Sequence, residues 1–569
     1  MKYISKIFIV LIMISGLGAC KKTFDGLLTN PNYPSLSTAD VDLYLNQVQI
    51  SFNSVWSTAS DYGAQLSRQQ NWTGPFYYNG YTPSSFDGEW TNAYTGVVAN
   101  VDALLPLAES QKKYTQAGIA FTLKAFTYGI LVDDFGDVPF SEADLGIKNT
   151  TPKVDAGASV YTNIQSLLDS AISYFQNPDN APDNNMIDLF YGGNTNNWVA
   201  LAKTLKLKFY MQTRLVDNTA AANIQALLTE NNLINSTAQD FQYQYGTNLS
   251  APDSRHPHYG TDYVNSGGVG EYLSNYFMWM VAAQKYGGGN INFSGDPRLR
   301  YYFYRQATNY AWANQQSCPC YGNSMFGSSN FPAWFPSVPD QTPYCVIGKG
   351  YLGRDHGDNS GAPPDGAYRT GFGLYPAGGE FDASQGQGVS LGMGAGGAGI
   401  SPIWLSSFTS FLKAEAALTL GVTAGGTPKS LMMNGVETSI SKVMGFGATI
   451  NYTVPSGSIP SAAQIANYDS LVSSNYDSAS TDDSRLNVIM TEYYIALWGN
   501  GVESYNNYRR TGKPGNMQPA VAVPAPGLFM RSFYYPSVFV NRNSAAPPQK
   551  NGTLANKVFW DNNPDNFVY

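Results

Sequence analysis

Charged residues are scarce in this chain. Asp, Glu, Lys and Arg make up only 13% of its 569 residues, about half the share of roughly 25% in ordinary globular proteins. The net charge is -8, and the sequence holds no long run of Lys and Arg. Because nucleic-acid binding needs clustered basic side chains opposite the phosphates, this composition argues against a nucleic-acid partner.

The motifs of common enzyme classes are missing as well. The sequence contains no G-x-x-x-x-G-K-[ST] phosphate loop, no HExxH zinc motif and no G-x-S-x-G elbow with a matching histidine, and it has only three histidines. Pairs of carboxylates are numerous, as in any chain of this size, but nothing selects one pair for acid–base chemistry. We therefore predict no catalytic residue, no metal site and no cofactor. A surface hydrolase is kept as an alternative from a different class.

Cysteines are few, and their number leaves one unpaired. Cys20 lies near the N-terminus, and Cys318, Cys320 and Cys345 follow much later. Three thiols cannot all pair with one another, and without a nearby histidine they make a poor zinc site. Cys345 can pair with either Cys318 or Cys320, which would close a loop of roughly 25 residues.

The N-terminus has the pattern of a bacterial lipoprotein signal. Lys2 and Lys6 precede the apolar run Ile7–Gly18, whose 12 residues are too short to cross a bilayer core of about 30 Å. Leu17-Gly18-Ala19-Cys20 then fits a lipobox. We predict a signal peptide over residues 1–19 and a lipid anchor on Cys20, which would be the only visible membrane attachment. An ordinary secretory signal with a chance cysteine is the alternative.

Helical spacing of apolar residues predicts a mainly α chain. A first helix should begin after Ser37-Thr38-Ala39-Asp40, with Ser or Thr as its cap, and run to Trp56 or beyond. The other predicted scaffold helices are Phe86–Glu109, Tyr114–Phe135, Val160–Phe175, one containing Trp198, Ile403–Leu420, Leu431–Met444, Ser461–Ser474 and Arg485–Trp498. They come in pairs of roughly 35–45 residues, the period of TPR-like helical hairpins. The prediction is therefore a TPR-like superhelical scaffold.

Between about 240 and 400 the helical pattern is mostly lost, and Gly, Pro, Asn, Ser and aromatic residues dominate. Only Tyr272–Lys285 and Pro297–Arg305 read as helices. Irregular segments this long are usually functional. We predict one domain over residues 20–569, with a helical scaffold at about 38–235 and 403–569 and a loop-rich, ligand-binding part at about 240–400.

Several charged clusters allow more than one interpretation. Asp133-Asp134-x-Gly136-Asp137 has the look of a cation loop, but it lacks the spaced oxygens and closing Glu of an EF-hand. We favour a structural role, in which the aspartates cap the turn and Gly136 takes an unusual φ. The turn at 354–359, RDHGDN, either holds an ion or ligand or is a hydrogen-bonded turn.

Two further clusters are interpreted as structural. Glu503 with Arg509 and Arg510 is predicted to form a buried ion-pair network, with a substrate site as the alternative. The lysines of the Trp198 helix, which are Lys203, Lys206 and Lys208, are expected on a solvated or salt-bridged face.

Five motifs in order resemble one family. They are Asn30-Pro31-Asn32-Tyr33-Pro34, the Asp133–Ser141 turn, the Gly192-Gly193 turn before the Trp198 helix, the run from Glu503 to Gly512, and Arg531 with Tyr535-Pro536 and Asn541. Together they resemble SusD/RagB-type lipoproteins, the cell-surface nutrient-binding partners of SusC-like TonB-dependent transporters. The resemblance covers nearly the whole mature chain. It implies an outer-membrane location, a lipid anchor facing the cell surface, and an oligosaccharide ligand, with peptides as the alternative.

Aromatic residues supply the candidate ligand contacts. Sugar rings bind on flat aromatic side chains flanked by Asn, Gln, Asp or Arg. The candidates lie in an early loop and in the mid-chain part, the places from which related glycan-binding proteins draw their contacts. They are Trp72, Phe76, Tyr77, Tyr78, Tyr81, Trp312, Trp334 and Phe335. For any one of them, packing of a loop on the scaffold is the alternative role.

Overall fold

Helices form most of the structure. The computed structural model describes residues 40–71, 77–264, 268–282, 295–308, 350–358, 368–520, 528–551, 556–565 and 567–568. The predicted signal peptide, all four cysteines and the candidates Trp72, Phe76, Trp312, Trp334 and Phe335 lie outside the described residues. The mainly α, TPR-like prediction is confirmed.

The first half of the scaffold is a series of helices that pack on their sequence neighbours. Its helices are α1 (Val41–Leu66), α2 (Asp87–Thr91), a π-helical turn (Asn92–Val98), α3 (Ala99–Ser110), α4 (Tyr114–Phe135), α5 (Gly157–Phe175), α6 (Thr195–Thr213) and α7 (Ala220–Glu230). Gly118 of α4 lies against Phe175 and Gly157 of α5 against Val132, so these two helices are antiparallel.

The second half returns to helices after the loop-rich part. These helices are α11 (Ser406–Leu420), α12 (Pro428–Thr449), α13 (Ala462–Ser478), α14 (Asp482–Ala496), α15 (Gly501–Thr511) and α16 (Ser537–Val540). Helix α15 packs across α1 at Gly63 and Gly501, where a Cβ on Gly63 would lie 2.2 Å from the Gly501 carbonyl oxygen. Only glycine permits so close an approach of two backbones.

The loop-rich part contains short elements on an aromatic core. Its helices are α8 (Pro257–Tyr263), α9 (Asn275–Val281) and α10 (Leu299–Tyr302), and its strands are β1 (Phe241–Gln244), β2 (Phe303–Tyr304), β3 (Gly371–Phe372) and β4 (Ile400–Trp404). Strand β1 pairs antiparallel with β4, and β2 with β3. Phe277 and Phe372 both stack on Trp498, with ring centroids 5.0 and 4.7 Å away. This stack fixes the loop-rich part to the end of α14.

Several predicted boundaries need correction. Asp40, not Ser or Thr, caps α1 by accepting a hydrogen bond from the Asp42 amide. The expected helices Tyr272–Lys285 and Pro297–Arg305 are the shorter α9 and α10, and the start of the expected Ile403–Leu420 helix belongs to β4. Helices α7 and α15 and all four strands were not predicted.

The predicted turn after α4 has a different chemistry from the one expected. Gly136 does take a positive φ of 80°. Asp133, however, does not cap the turn, because its carboxylate is buried and faces the interior. It accepts hydrogen bonds from Tyr161, from Trp560 Nε1 at 2.9 Å and from Asn506 Nδ2 at 2.8 Å.

A lysine compensates this buried carboxylate, and an arginine binds the backbone beside it. Lys208 Nζ of α6 lies 3.6 Å from Asp133 and 3.1 Å from Glu503 of α15. Burial raises the pKa of Glu503, while Lys208 lowers it in part. Arg509 donates from Nη1 to the Asp133 carbonyl at 2.8 Å and to the Arg531 carbonyl at 2.9 Å. We call these five residues (Asp133, Lys208, Glu503, Asn506 and Arg509) the hub.

The predicted buried ion-pair network of Glu503, Arg509 and Arg510 is present with other partners than expected. Glu503 pairs with Lys208, while Arg509 donates to two backbone carbonyls and to Asn506. Arg510 pairs with Glu415 at 2.6 Å, and both side chains are buried. Burial alone would raise the pKa of Glu415, but the neighbouring Arg510 and Arg214 hold this pKa below its usual value. The lysine face of α6 is salt-bridged, since Lys203 pairs with Glu230 and Lys206 with Asp169.

Replacing Asp133 by Ala should destabilise the fold strongly, because it removes one carboxylate partner of the buried Lys208 and the shared acceptor of Tyr161, Trp560 and Asn506. We expect a loss of about 3–5 kcal/mol in the free energy of unfolding. The matched control is Asp169→Ala, which removes an exposed partner of another α6 lysine and should cost less than about 1 kcal/mol. Equal losses for the two variants in chemical denaturation would contradict a stabilising hub.

Candidate functional site

The early aromatic loop is attached at both ends to the loop-rich part. Before it, the backbone amide of Asn71 donates to the Tyr272 carbonyl at 2.8 Å, and Gln70 forms an antiparallel bridge with Leu273. After it, the Tyr77 hydroxyl lies 3.1 Å from His356 Nε2. The chain segment that holds Trp72 and Phe76 therefore starts and ends on mid-chain residues.

A third segment completes this arrangement. Ser274 bridges to Arg354, the Asn275 amide donates to the Arg354 carbonyl at 2.8 Å, and the Arg354 amide donates to Leu273 at 2.9 Å. We call the meeting place of residues 69–71, Tyr77, 271–275 and 354–358 the junction. It is the candidate functional site, because the two regions that carry the candidate aromatics meet here.

The 354–358 turn is buried and hydrogen-bonded. Arg354 Nη1 lies 3.8 Å from the Asp358 carboxylate, and Asp355 accepts from Asn275 Nδ2 at 3.1 Å. The His356 amide donates to Gln518 at 3.1 Å. Burial and the nearby Arg68 lower the pKa of His356 well below its usual value, so this histidine is neutral. The interpretation of this segment as a hydrogen-bonded turn is confirmed.

At the junction an aromatic ring packs against two guanidinium groups, of which Arg354 is buried and Arg369 is partly exposed. The half-buried ring of Tyr272 has Arg354 Cζ at 4.6 Å and Arg369 Cζ at 4.1 Å from its centroid. Such contacts fix the guanidinium planes against the ring. Planar, multi-donor guanidinium groups beside an aromatic ring are suited to hydroxyl-rich ligands.

Asn71 is an unusual member of the junction. Only 8% of its surface is exposed, and within the described residues neither its side-chain oxygen nor its side-chain nitrogen has a hydrogen-bond partner. A buried amide without partners costs free energy. This side chain directly precedes Trp72 in the chain.

A histidine between two carboxylates lies on the neighbouring side. His258 Nδ1 is 2.9 Å from Glu271, its Nε2 is 3.4 Å from Asp61, and its ring stacks on Phe372 at 4.1 Å. Burial by itself lowers the pKa of His258, but Glu271 and Asp61 raise it well above the usual 6.5. The imidazolium is therefore held as a structural cation.

The described candidate tyrosines lie inside the protein. Tyr77, Tyr78 and Tyr81 are 1%, 8% and 3% exposed. Tyr78 donates to the Ser532 carbonyl at 3.0 Å, and Tyr81 donates to Gln65 at 2.6 Å. The structure thus shows packing contacts for these three side chains, and ligand contact by any of the candidates stays a prediction.

Sequence reasoning did not single out Tyr272, Arg369 or His258. Each lies in a Gly-rich or aromatic stretch without a motif, and each acquires its role only from residues far away in the chain. For Asn71, the sequence offered one indication of a role, which is its position beside Trp72 in the early loop.

Two family descriptions match the chain. Residues 31–316 match the family described as "Starch-binding associating with outer membrane". Residues 400–547 match that described as "Susd and RagB outer membrane lipoprotein". The chain belongs to the SusD/RagB family. Members of this family are binding proteins of the outer membrane.

Solved structures of SusD homologues share the fold. A chitin-binding homologue from Flavobacterium johnsoniae is 19% identical, with a TM-score of 0.60 over 92% of this chain and 99% of its own. Homologues from Bacteroides thetaiotaomicron and Bacteroides ovatus are 18% and 17% identical, each over 92% of this chain and 100% and 99% of their own, with TM-scores of 0.60 and 0.61. No curated protein is significantly similar in sequence. Within the described residues, no helix is both long and apolar enough to span a membrane.

The charge of His258 makes a testable contribution to stability. Because its pKa is higher in the folded than in the unfolded chain, the contribution is complete below about pH 6.5 and is lost as pH rises through the folded value. His258→Gln should therefore be less stable than the unmodified protein at about pH 6, and the difference should shrink by about pH 10. Unfolding free energies from urea titrations at both pH values check this, and an unchanged difference would contradict it.

Proposed function

We propose that this protein is a cell-surface lipoprotein, anchored at Cys20, that binds an oligosaccharide and delivers it to a SusC-like TonB-dependent transporter. Family membership supports the outer-membrane setting and a binding role. The chitin-binding homologue with the same fold supports a glycan as the ligand class. The lipobox at Cys20 supports the anchor.

The observation that carries the glycan proposal is the attachment of both ends of the early aromatic loop at the junction. Asn71 is bonded to Tyr272 and Tyr77 to His356, so Trp72 and Phe76 belong to a segment of five residues that starts and ends there. Sugar recognition combines apolar contact with ring faces and hydrogen bonds to hydroxyl groups. The side-chain amide of Asn71, which precedes that segment in the sequence, and the guanidinium of Arg369 at the junction supply hydrogen-bond donors.

We further propose that this binding is not accompanied by catalysis. The three histidines have structural surroundings, since His256 and His356 are buried with lowered pKa values and His258 is held by Asp61 and Glu271. A general base must be free to reach the proton it abstracts. None of the three meets this requirement.

Isothermal titration of the mature protein tests the proposed function. The protein is kept in a detergent without a sugar headgroup and titrated with chito- and malto-oligosaccharides and with a peptide mixture. Saturable binding of at least one glycan, without release of products, is the expected result. Saturable peptide binding with no glycan signal would contradict the proposal, and product formation would point to a hydrolase.

Substituting Asn71 by Ala separates a ligand contact from a structural role. Because its side-chain amide has no hydrogen-bond partner among the described residues, folding stability should not fall, while glycan affinity should fall by about 1–3 kcal/mol. The control is Asn53→Ala, which removes a buried amide that donates to the Tyr245 hydroxyl at 3.0 Å. It should lose about 1 kcal/mol of stability and keep its affinity.

The reverse pattern would contradict the assignment of Asn71 to the ligand. That pattern is a destabilised Asn71→Ala protein with unchanged glycan affinity.

A further inference from the structure

A second cleft lies on the helical scaffold, built from residues that take no part in the junction. It has a volume of about 650 Å³, within the range of roughly 300–1,000 Å³ found for small-molecule sites. Its walls are one face of α5, the last turns of α6 and the turn at residues 216–219, and Phe559 closes one side.

The floor of the cleft is aromatic and rigid. Tyr161 packs edge-on against Phe209 and Phe559, with ring centroids 5.1 and 5.0 Å apart. The Tyr161 hydroxyl donates to Asp133 of the hub. Tyr161 and Phe209 are only 4% and 1% exposed, so the apolar ring surface offered to the cleft comes mainly from the half-buried Phe559 and Tyr210.

The rim is polar and has unused hydrogen-bonding groups. Tyr210 is half-buried, and its hydroxyl makes no hydrogen bond to the described part of the chain. The buried side-chain oxygen of Gln165 likewise has no hydrogen-bond partner among the residues that the structure describes. Asn218 and Thr162 are exposed beside them. A ligand with hydroxyl groups would satisfy these atoms while its apolar face lay against the rings.

The charge of the lining excludes anionic ligands. Among the residues that line the cleft, none is Lys, Arg or His, and the one carboxylate, Asp217, accepts hydrogen bonds from the Thr219 amide and hydroxyl at 2.8 and 2.7 Å. An anion would find no counter-charge there. A neutral, polyhydroxylated ligand fits the rings, the amides and the absence of cations.

We propose that this cleft is a second saccharide subsite, which takes one or two sugar units of a neutral glycan. The inference rests on the proposed function, because it assumes a glycan ligand at the junction. Two sites on one chain would hold a polymeric glycan more tightly than either site alone, because the second binding event becomes intramolecular.

The subsite is tested with the mature protein and the short oligosaccharide that gives the strongest titration signal. Saturation-transfer NMR and isothermal titration are carried out on Asn71→Ala, in which the junction is weakened, so that the remaining binding reports the cleft. Adding Tyr210→Ala, which removes the rim ring, or Thr162→Trp, which fills the mouth, should weaken this binding about tenfold. Tyr44→Ala is the control, since Tyr44 is another partly buried helical tyrosine whose hydroxyl makes no hydrogen bond to a described residue.

The outcomes separate the two claims. Loss with both cleft variants and none with Tyr44→Ala supports the subsite. If the unmodified protein binds a glycan, and neither Tyr210→Ala nor Thr162→Trp weakens the binding that remains in Asn71→Ala, the subsite is refuted while the proposed function stands. If the unmodified protein binds no glycan at all, both are refuted.

Discussion

The buried carboxylate of Asp133 is the interaction on which the rest of the structure depends. A carboxylate removed from water is stable only if cations and hydrogen-bond donors replace its hydration. Here Lys208, Tyr161, Trp560 and Asn506 provide them, and these residues come from α6, α5, the C-terminal segment and α15. One charge therefore fixes the first half of the scaffold to the second.

Direct contacts connect the hub to both surfaces that we propose as ligand sites. On one side, Tyr161 forms the floor of the scaffold cleft. On the other, α15 crosses α1 at Gly63 and Gly501, and the Ser504 hydroxyl bonds to Ser67 at 2.8 Å. Arg68 follows, donating to the Gln518 carbonyl at 2.8 Å and to the Tyr77 hydroxyl at 3.2 Å. The residues that enter and leave the early aromatic loop are thus positioned from inside the protein.

Sequence reasoning succeeded where the controlling contacts are local. Helix α4 was predicted with its observed ends because its apolar residues repeat at helical spacing and Gly136 stops it. Helix α15 was missed because all of its residues are buried and most of them are polar, so the sequence does not show the apolar stripe of an amphipathic helix. The aspartates in the last turn of α4 were assigned to the following turn because the partners of Asp133 lie on distant parts of the chain.

At the candidate site, too, the sequence predicted what local patterns determine and missed what distant contacts determine. The sequence pointed to an early aromatic loop and a mid-chain part as ligand-binding regions, and the structure joins the ends of that loop to mid-chain residues at the junction. The packing of Tyr77, Tyr78 and Tyr81 could not be foreseen, because an aromatic residue in a loop has the same pattern whether it binds a ligand or fills a core. The unpartnered amide of Asn71 is visible only when its surroundings are known.

A double-mutant cycle between Asp133 and Asn506 tests the central claim most directly. These residues are 373 positions apart in the chain, and their side chains are joined by a hydrogen bond of 2.8 Å. Unfolding free energies of Asp133→Ala, Asn506→Ala and the double variant give the coupling energy. The hub predicts a coupling of about 0.5–3 kcal/mol, and losses that add to within about 0.3 kcal/mol would contradict it.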